Sequence, residues 1–176
     1  LFDTYEEMSQ LAGSVSDSRG VVFVPAFHGL EVPYNDAQAR ATIFGLTLGH
    51  DRGHISRAFF EAIGFQIRTI LETITTETGI GVDKLLVGGG VSASDLACQI
   101  QADLLGIPVQ RPTFTETTAW AAGLLAGLGA GFWPDEAAMP LPPGDYVQFD
   151  PALAPVLRDE GYADWQNAVD FVRDWG

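Results

Sequence analysis

The sequence predicts an α/β lobe, a mixed sheet with helices on its faces. Three observations carry that expectation. From residue 54 onward the order reads helix, strand, helix, strand, helix, the alternation of layered α/β domains. Residues 85–96 (LLVGGGVSASDL) join an apolar strand to a helix start through three glycines. At 176 residues, 47% hydrophobic and mean hydropathy +0.13, the chain is long and apolar enough for one packed core.

Residues 2–13 read as the tail of a helix stopped at Gly13, followed by a polar loop over 14–20. Residues 21–24 form a β-prone run halted by Pro25. The stretch 25–41 (PAFHGLEVPYNDAQARA) is rich in turn formers and reads as an ordered loop, with a second short strand over 43–46. The clearest helix covers 54–78, where Ile55, Ala58, Phe59, Ala62, Ile63, Ile67, Ile70, Leu71 and Ile74 share one broad face and Gly79 supplies the stop.

A strand over 85–87 then leads to a helix over 92–105, with Ser92 as N-cap and Asp95 at the third position. Gly106 ends it, and 107–110 returns as a strand interrupted by Pro108. A further helix begins at Glu116 with Thr115 as its candidate N-cap. Its small residues Ala119, Ala122, Gly123, Ala126, Gly127 and Ala130 leave one face open to close packing. Residues 134–155 contain six prolines and read as a strap. An amphipathic helix over 159–175 closes the chain on Tyr162, Trp165, Val169, Phe171 and Val172. The domain expectation is one lobe over 1–133, a Pro-rich strap over 134–158 and a closing helix over 159–176 of the same lobe.

The formal charge of −14 comes from nine basic and 23 acidic side chains, and the last quarter of the chain holds nine acidic residues against two arginines. Lys84 is the only lysine and the eight arginines are scattered, so no basic patch is available for nucleic acid or an anionic membrane. No apolar run reaches the ~18 residues a bilayer span needs. The chain opens Leu1-Phe2-Asp3, with neither Met nor a basic leader, and is expected to be a piece of a longer protein. The lone Cys98 has no internal disulfide partner, which points to a buried thiol in a cytoplasmic protein.

Several motifs are missing. There is no G-x-x-x-x-G-K-[ST], because Lys84 precedes the glycines, and no G-x-G-x-x-G for a dinucleotide. His28, His50 and His54 with one cysteine make no zinc pattern, and no G-x-S-x-G elbow is present. What remains is the glycine turn itself. Glycines let another molecule approach the backbone, and the helix start beyond presents N–H groups and a positive dipole end. That combination makes Gly89 and Gly90 candidate seats for a nucleotide.

Three stretches together resemble the C-terminal half of the FGGY carbohydrate kinase family. They are FVPAFHGLEVPY (23–34), FGLTLGHDRGHISRAFFEAIGFQ (44–66) and LLVGGGVSASDLACQIQADLLGIPVQRPTFTETTA (85–119). The tokens P-A-F-x-G-L-x-x-P-Y, Q-x-Q-A-D at 99–103, E-T-T-A at 116–119 and the Tyr162-x-x-Trp165 helix lie nearest the glycerol-phosphorylating branch. HDRGHISRA is closer to the pentulose branch.

The resemblance implies an actin-like, ribonuclease-H-like ATPase lobe. It implies ATP and Mg2+ as cofactors, a polyol or sugar acceptor with glycerol first, and an N-terminal lobe as partner. The family's nucleotide-binding glycine falls on Gly90, beside Gly89, and its adenine- or ribose-side Asn falls on Ser94. The catalytic and metal-linked Asp residues are expected upstream, so this segment alone should not turn over. Two departures stand out: Gly88 replaces the usual Asp before the glycine pair, and Ser94 replaces a carboxamide by a shorter hydroxyl. They keep open a non-catalytic nucleotide-binding relative, beside a pentulose kinase. Homo-oligomerisation stays open too. His28, Arg40, Glu61, Gln66 and Glu116 are expected to serve structure before ligand, with Arg40 paired to an acidic neighbour.

Overall fold

The computed structural model describes residues 2–114, 116–140 and 144–173. In chain order the elements are α1 (Tyr5–Gly13), β1 (Val22–Val24), β2 (Thr42–Phe44), α2 (Arg52–Thr78), β3 (Leu85–Leu86), α3 (Asp95–Leu105), β4 (Val109–Pro112), α4 (Thr117–Gly129), β5 (Tyr146–Phe149) and α5 (Pro155–Val172). β1 and β2 pair antiparallel as a two-stranded ribbon. β3, β4 and β5 form the second sheet, parallel between β3 and β4 and antiparallel between β4 and β5. The expected mixed sheet is therefore present.

α2 organises the core. Asp51 caps it by accepting from the N–H groups of Gly53 and His54 at 2.9 and 3.3 Å, and Gly79 closes it at φ 71°. The helix starts at Arg52, two residues before the expected start at 54, because this aspartate fixes the start. Its buried face, with Ala58, Phe60, Ala62 and Phe65, meets α1, α3, β1 and α5. Gly64 lets α3 come close: a Cβ there would lie 2.9 Å from Leu104 Cδ1.

α5 seals this core with Tyr162, Trp165, Val169 and Val172, and Trp165 Nε1 donates to Phe23 O at 3.2 Å. Phe171 departs from the expected apolar set, being 74% exposed. The helix begins at Pro155 rather than residue 159, since proline suits a first helical turn. Its expected end at Trp175 lies outside the described residues.

Three further differences have physical causes. α1 starts at Tyr5, where the Thr4 hydroxyl accepts from Glu7 N at 3.0 Å. α3 starts at Asp95, not Ser92, because Ser94 holds the extended backbone of an N-cap and accepts from Ala97 N. Residues 90–93 form a 3₁₀ turn instead, in which Ser92 Oγ donates to Gly89 O at 2.8 Å. Last, the proline-rich segment contains β5, whose composition hid it and whose pairing comes entirely from β4. Thr115, the expected cap of α4, lies outside the described residues; the residue at the cap position, Glu116, makes no side-chain capping bond.

Candidate functional site

The site is assembled where β3 ends. Val87 N still bonds to Gln110 O at 2.9 Å, and the chain then leaves the sheet through Gly88, Gly89 and Gly90, all exposed. Gly89 has φ 88° and ψ −176°, a conformation closed to side-chain-bearing residues. A Cβ on Gly89 or Gly90 would meet nothing within 4 Å, so the ground above both residues is open. Over Gly88 the start of α4 leans in, with Thr117 Oγ1 3.1 Å from where a Cβ would sit. An Asp at position 88 would therefore point at that hydroxyl.

Four carbonyls of this segment accept side-chain hydrogen bonds. Gly89 O takes the Ser92 hydroxyl at 2.8 Å. Val91 O takes the Tyr5 phenol at 2.7 Å. Ser92 O takes Arg111 Nη1 at 2.7 Å and the Cys98 thiol at 3.3 Å, and Ala93 O takes Arg111 Nη1 at 3.3 Å. Gly88, Gly89 and Gly90 themselves stay exposed, with open ground above the last two. Bare backbone of this kind is what a ligand can approach closely.

Gly89, Gly90 and Ser94 are brought into one turn. Ser94 Oγ accepts from Ala97 N at 3.2 Å and lies 2.7 Å from Ser9 Oγ on α1. A cleft of about 520 Å³ opens beside it between α1 and α3, lined by Tyr5, Glu6, Ser9, Ala93, Ser94, Asp95 and Leu96. That volume falls in the range of small-ligand sites. Burial pushes the Tyr5 phenol and the Cys98 thiol above their ordinary values, so both stay protonated donors here. Cys98 is free and buried.

Sequence reasoning missed Tyr5, Ser9 and Arg111, since each reaches the turn across 18 to 86 residues of chain with no local motif to mark it. The other singled-out residues lie elsewhere. His28 is exposed, Glu61 pairs with Arg57 at 2.9 Å, and Gln66 donates to Val32 O at 3.0 Å. Arg40 donates to the carbonyls of Ala37, Gln38 and Ala39 at 2.7 to 3.2 Å. Among the described residues no group of three or more His, Cys, Asp or Glu could hold a metal ion, and no helix is long and apolar enough to cross a membrane.

The profile of the FGGY family of carbohydrate kinases, C-terminal domain, matches residues 2–130. The chain belongs to the FGGY carbohydrate kinases. It is 48% identical to a glycerol kinase of Pseudothermotoga lettingae over 94% of this chain and 33% of that protein. It is 45% identical to glycerol kinase 3 of Streptomyces avermitilis over 96% of this chain and 34% of that protein. The chain thus spans about a third of the length of the curated relatives it matches.

Among solved structures, Plasmodium falciparum glycerol kinase with ADP superposes at TM-score 0.81 and 30% identity, over 97% of this chain and 34% of that one. The xylulose kinase of Rhodospirillum rubrum superposes at TM-score 0.72 and 27% identity, over 95% of this chain and 34% of that one. The expected actin-like, ribonuclease-H-like architecture is that of this FGGY lobe.

Proposed function

We propose that the full-length protein transfers the γ-phosphoryl group of ATP to a hydroxyl of a polyol or sugar, glycerol being the acceptor and glycerol 3-phosphate the product. This chain is the ATP-binding half. The observation that carries the reading is the turn at residues 88–90, exposed glycine backbone with open ground above Gly89 and Gly90, in a member of a kinase family. Gly89 and Gly90 seat the nucleotide, and Ser94 flanks its adenosine side.

The partner lobe has its own support. α4 has alanine, glycine and leucine on every side and buries none of its described residues. A helix apolar all round belongs inside a larger structure. An N-terminal lobe covering it would close the cleft over acceptor and nucleotide, excluding water as the lobes come together. Among the described residues no group of three or more His, Cys, Asp or Glu gathers to hold a metal, and by the family resemblance the ion, like the aspartate that accepts the hydroxyl proton, is assigned to the upstream half. The compartment consistent with these readings is the cytoplasm.

Glycerol is preferred over a pentulose because identity and TM-score are both higher for the glycerol kinase structure than for the xylulose kinase, 30% and 0.81 against 27% and 0.72. A second reading, nucleotide binding without turnover, is favoured by one observation: the Ser94 hydroxyl is already engaged by Ala97 N and Ser9. The test is a panel of glycerol and pentuloses with Mg-ATP on the full-length protein, alongside the isolated 176-residue chain. Glycerol turnover by the full-length protein and none by the isolated chain is the expected result. Turnover by the isolated chain overturns the division of roles, and ATP binding with no turnover on any acceptor selects the second reading.

A further inference from the structure

We propose that Arg111 is the positioning residue of the glycine turn. It never meets the nucleotide; it holds the backbone that does. The proposal rests on the nucleotide reading of that turn given above.

Arg111 lies on β4, where its backbone is paired with Val147 of β5. Its side chain leaves the strand and crosses to the segment after the glycines. Nη1 donates to Ser92 O at 2.7 Å and to Ala93 O at 3.3 Å, and Nη2 donates to Asp95 Oδ1 at 2.7 Å. The Phe149 ring, with its centroid 5.4 Å from Cζ, backs the guanidinium. The side chain is only 15% exposed, whereas its partner Asp95 is 76% exposed. The cation is thus half-buried, with its two amino groups spent on three acceptors.

The turn needs such a device. Three consecutive glycines have the greatest backbone freedom a sequence can supply, and four residues of 3₁₀ helix have few bonds of their own. If Ser92 O or Ala93 O swung outward, a negative dipole end would face the phosphates. Binding would then have to supply the ordering and reverse the dipoles, and both weaken affinity. The planar fork of arginine fixes two neighbouring carbonyls and one carboxylate together, which the single ammonium of lysine does not reproduce. The rest of the turn is held by smaller groups, the hydroxyls of Ser92 and Tyr5 and the Cys98 thiol.

The experiment compares the wild-type full-length protein with R111A, R111K and the milder D95N. ADP affinity is measured by calorimetry, backbone amide exchange over residues 88–94 with and without ADP, and KM for ATP and for glycerol. Arg111→Lys is expected to weaken ADP binding and raise the KM for ATP by about tenfold, with the KM for glycerol unchanged. Exchange over 88–94 should rise in the free variant, and D95N should move the same readouts by a smaller factor. R111K keeps the charge and the aliphatic stem, so it decides the question even where R111A fails to fold. If ADP protects 88–94 in the wild type and R111K keeps wild-type ADP affinity while only its melting temperature falls, Arg111 is a stability residue and the assignment is wrong. If ADP protects nothing there in the wild type, the nucleotide reading falls and Arg111 falls with it.

Discussion

The hydroxyls of Ser9 and Ser94 lie 2.7 Å apart and tie α1 to the first turn of α3. Ser94 is the cap of α3, through Ala97 N at 3.2 Å, and the residue proposed above to flank the adenosine side of the nucleotide. Those two duties compete for one small side chain.

Replacing Ser94 by alanine should cost about 1 kcal/mol of stability through the lost cap. Ser9→Ala should cost a similar amount, about 1 kcal/mol, through the lost bond. Because the two atoms touch, S9A/S94A should cost less than the sum of the singles, which denaturant unfolding of all three variants will read. Strict additivity would mean that the pair contributes nothing jointly.

Gly64 and Leu104 set the distance between α2 and α3. Alanine in mid-helix normally stabilises by about 1 kcal/mol over glycine. Here its Cβ would stand 2.9 Å from Leu104 Cδ1, and Leu104 is buried. Overpacking of this kind costs about 1–3 kcal/mol, so G64A is expected to destabilise. Adding L104V should recover part of the loss in thermal unfolding.

Tyr162 gives alkaline sensitivity. Burial raises its phenol from 10.0 to about 12, where it lies 2.9 Å from Thr69 Oγ1 and donates to Glu72 Oε2 at 2.9 Å. The folded state holds this proton more tightly than the unfolded state. The associated stability is therefore complete below pH 10 and is lost as pH rises towards about 12. Y162F should be less stable than the wild type at neutral pH, yet its denaturation midpoint should fall less steeply across that alkaline window. Parallel slopes for the two proteins would count against it.

Leu125 is 63% exposed on α4. In the isolated chain, L125E should change unfolding free energy by no more than about 0.5 kcal/mol, since the side chain packs on little. In the full-length protein the same substitution is expected to destabilise strongly, because α4 would be covered there. Equal, small effects in both contexts would remove the support that α4 gives to a covering lobe.

Much of the fold was legible in the sequence because it is written in local periodicity. The nine apolar residues of α2 at helical spacing, Gly79 after its last turn and the apolar 85–87 run all announce themselves within a few positions. The start of α3 was misplaced because Ser92 and Ser94 are chemically identical caps in sequence, and only the backbone at Ser94 is extended in the way a cap requires. β5 was hidden for a different reason. Strand identity at Tyr146–Phe149 comes from pairing with β4 some 34 residues away, not from its own proline-rich surroundings.

The sequence by itself determined where the turn lies and that it is bare: three glycines, a strand before them and a helix after them. Only the tertiary structure decided which groups hold the carbonyls of that segment. Peptide polarity is set by where each carbonyl finds its donor, and the donors are Tyr5, Ser92, Cys98 and Arg111, drawn from α1, the turn, α3 and β4. No window of sequence holds those four together, because hydrogen bonds act over about 3 Å of space and are indifferent to distance along the chain.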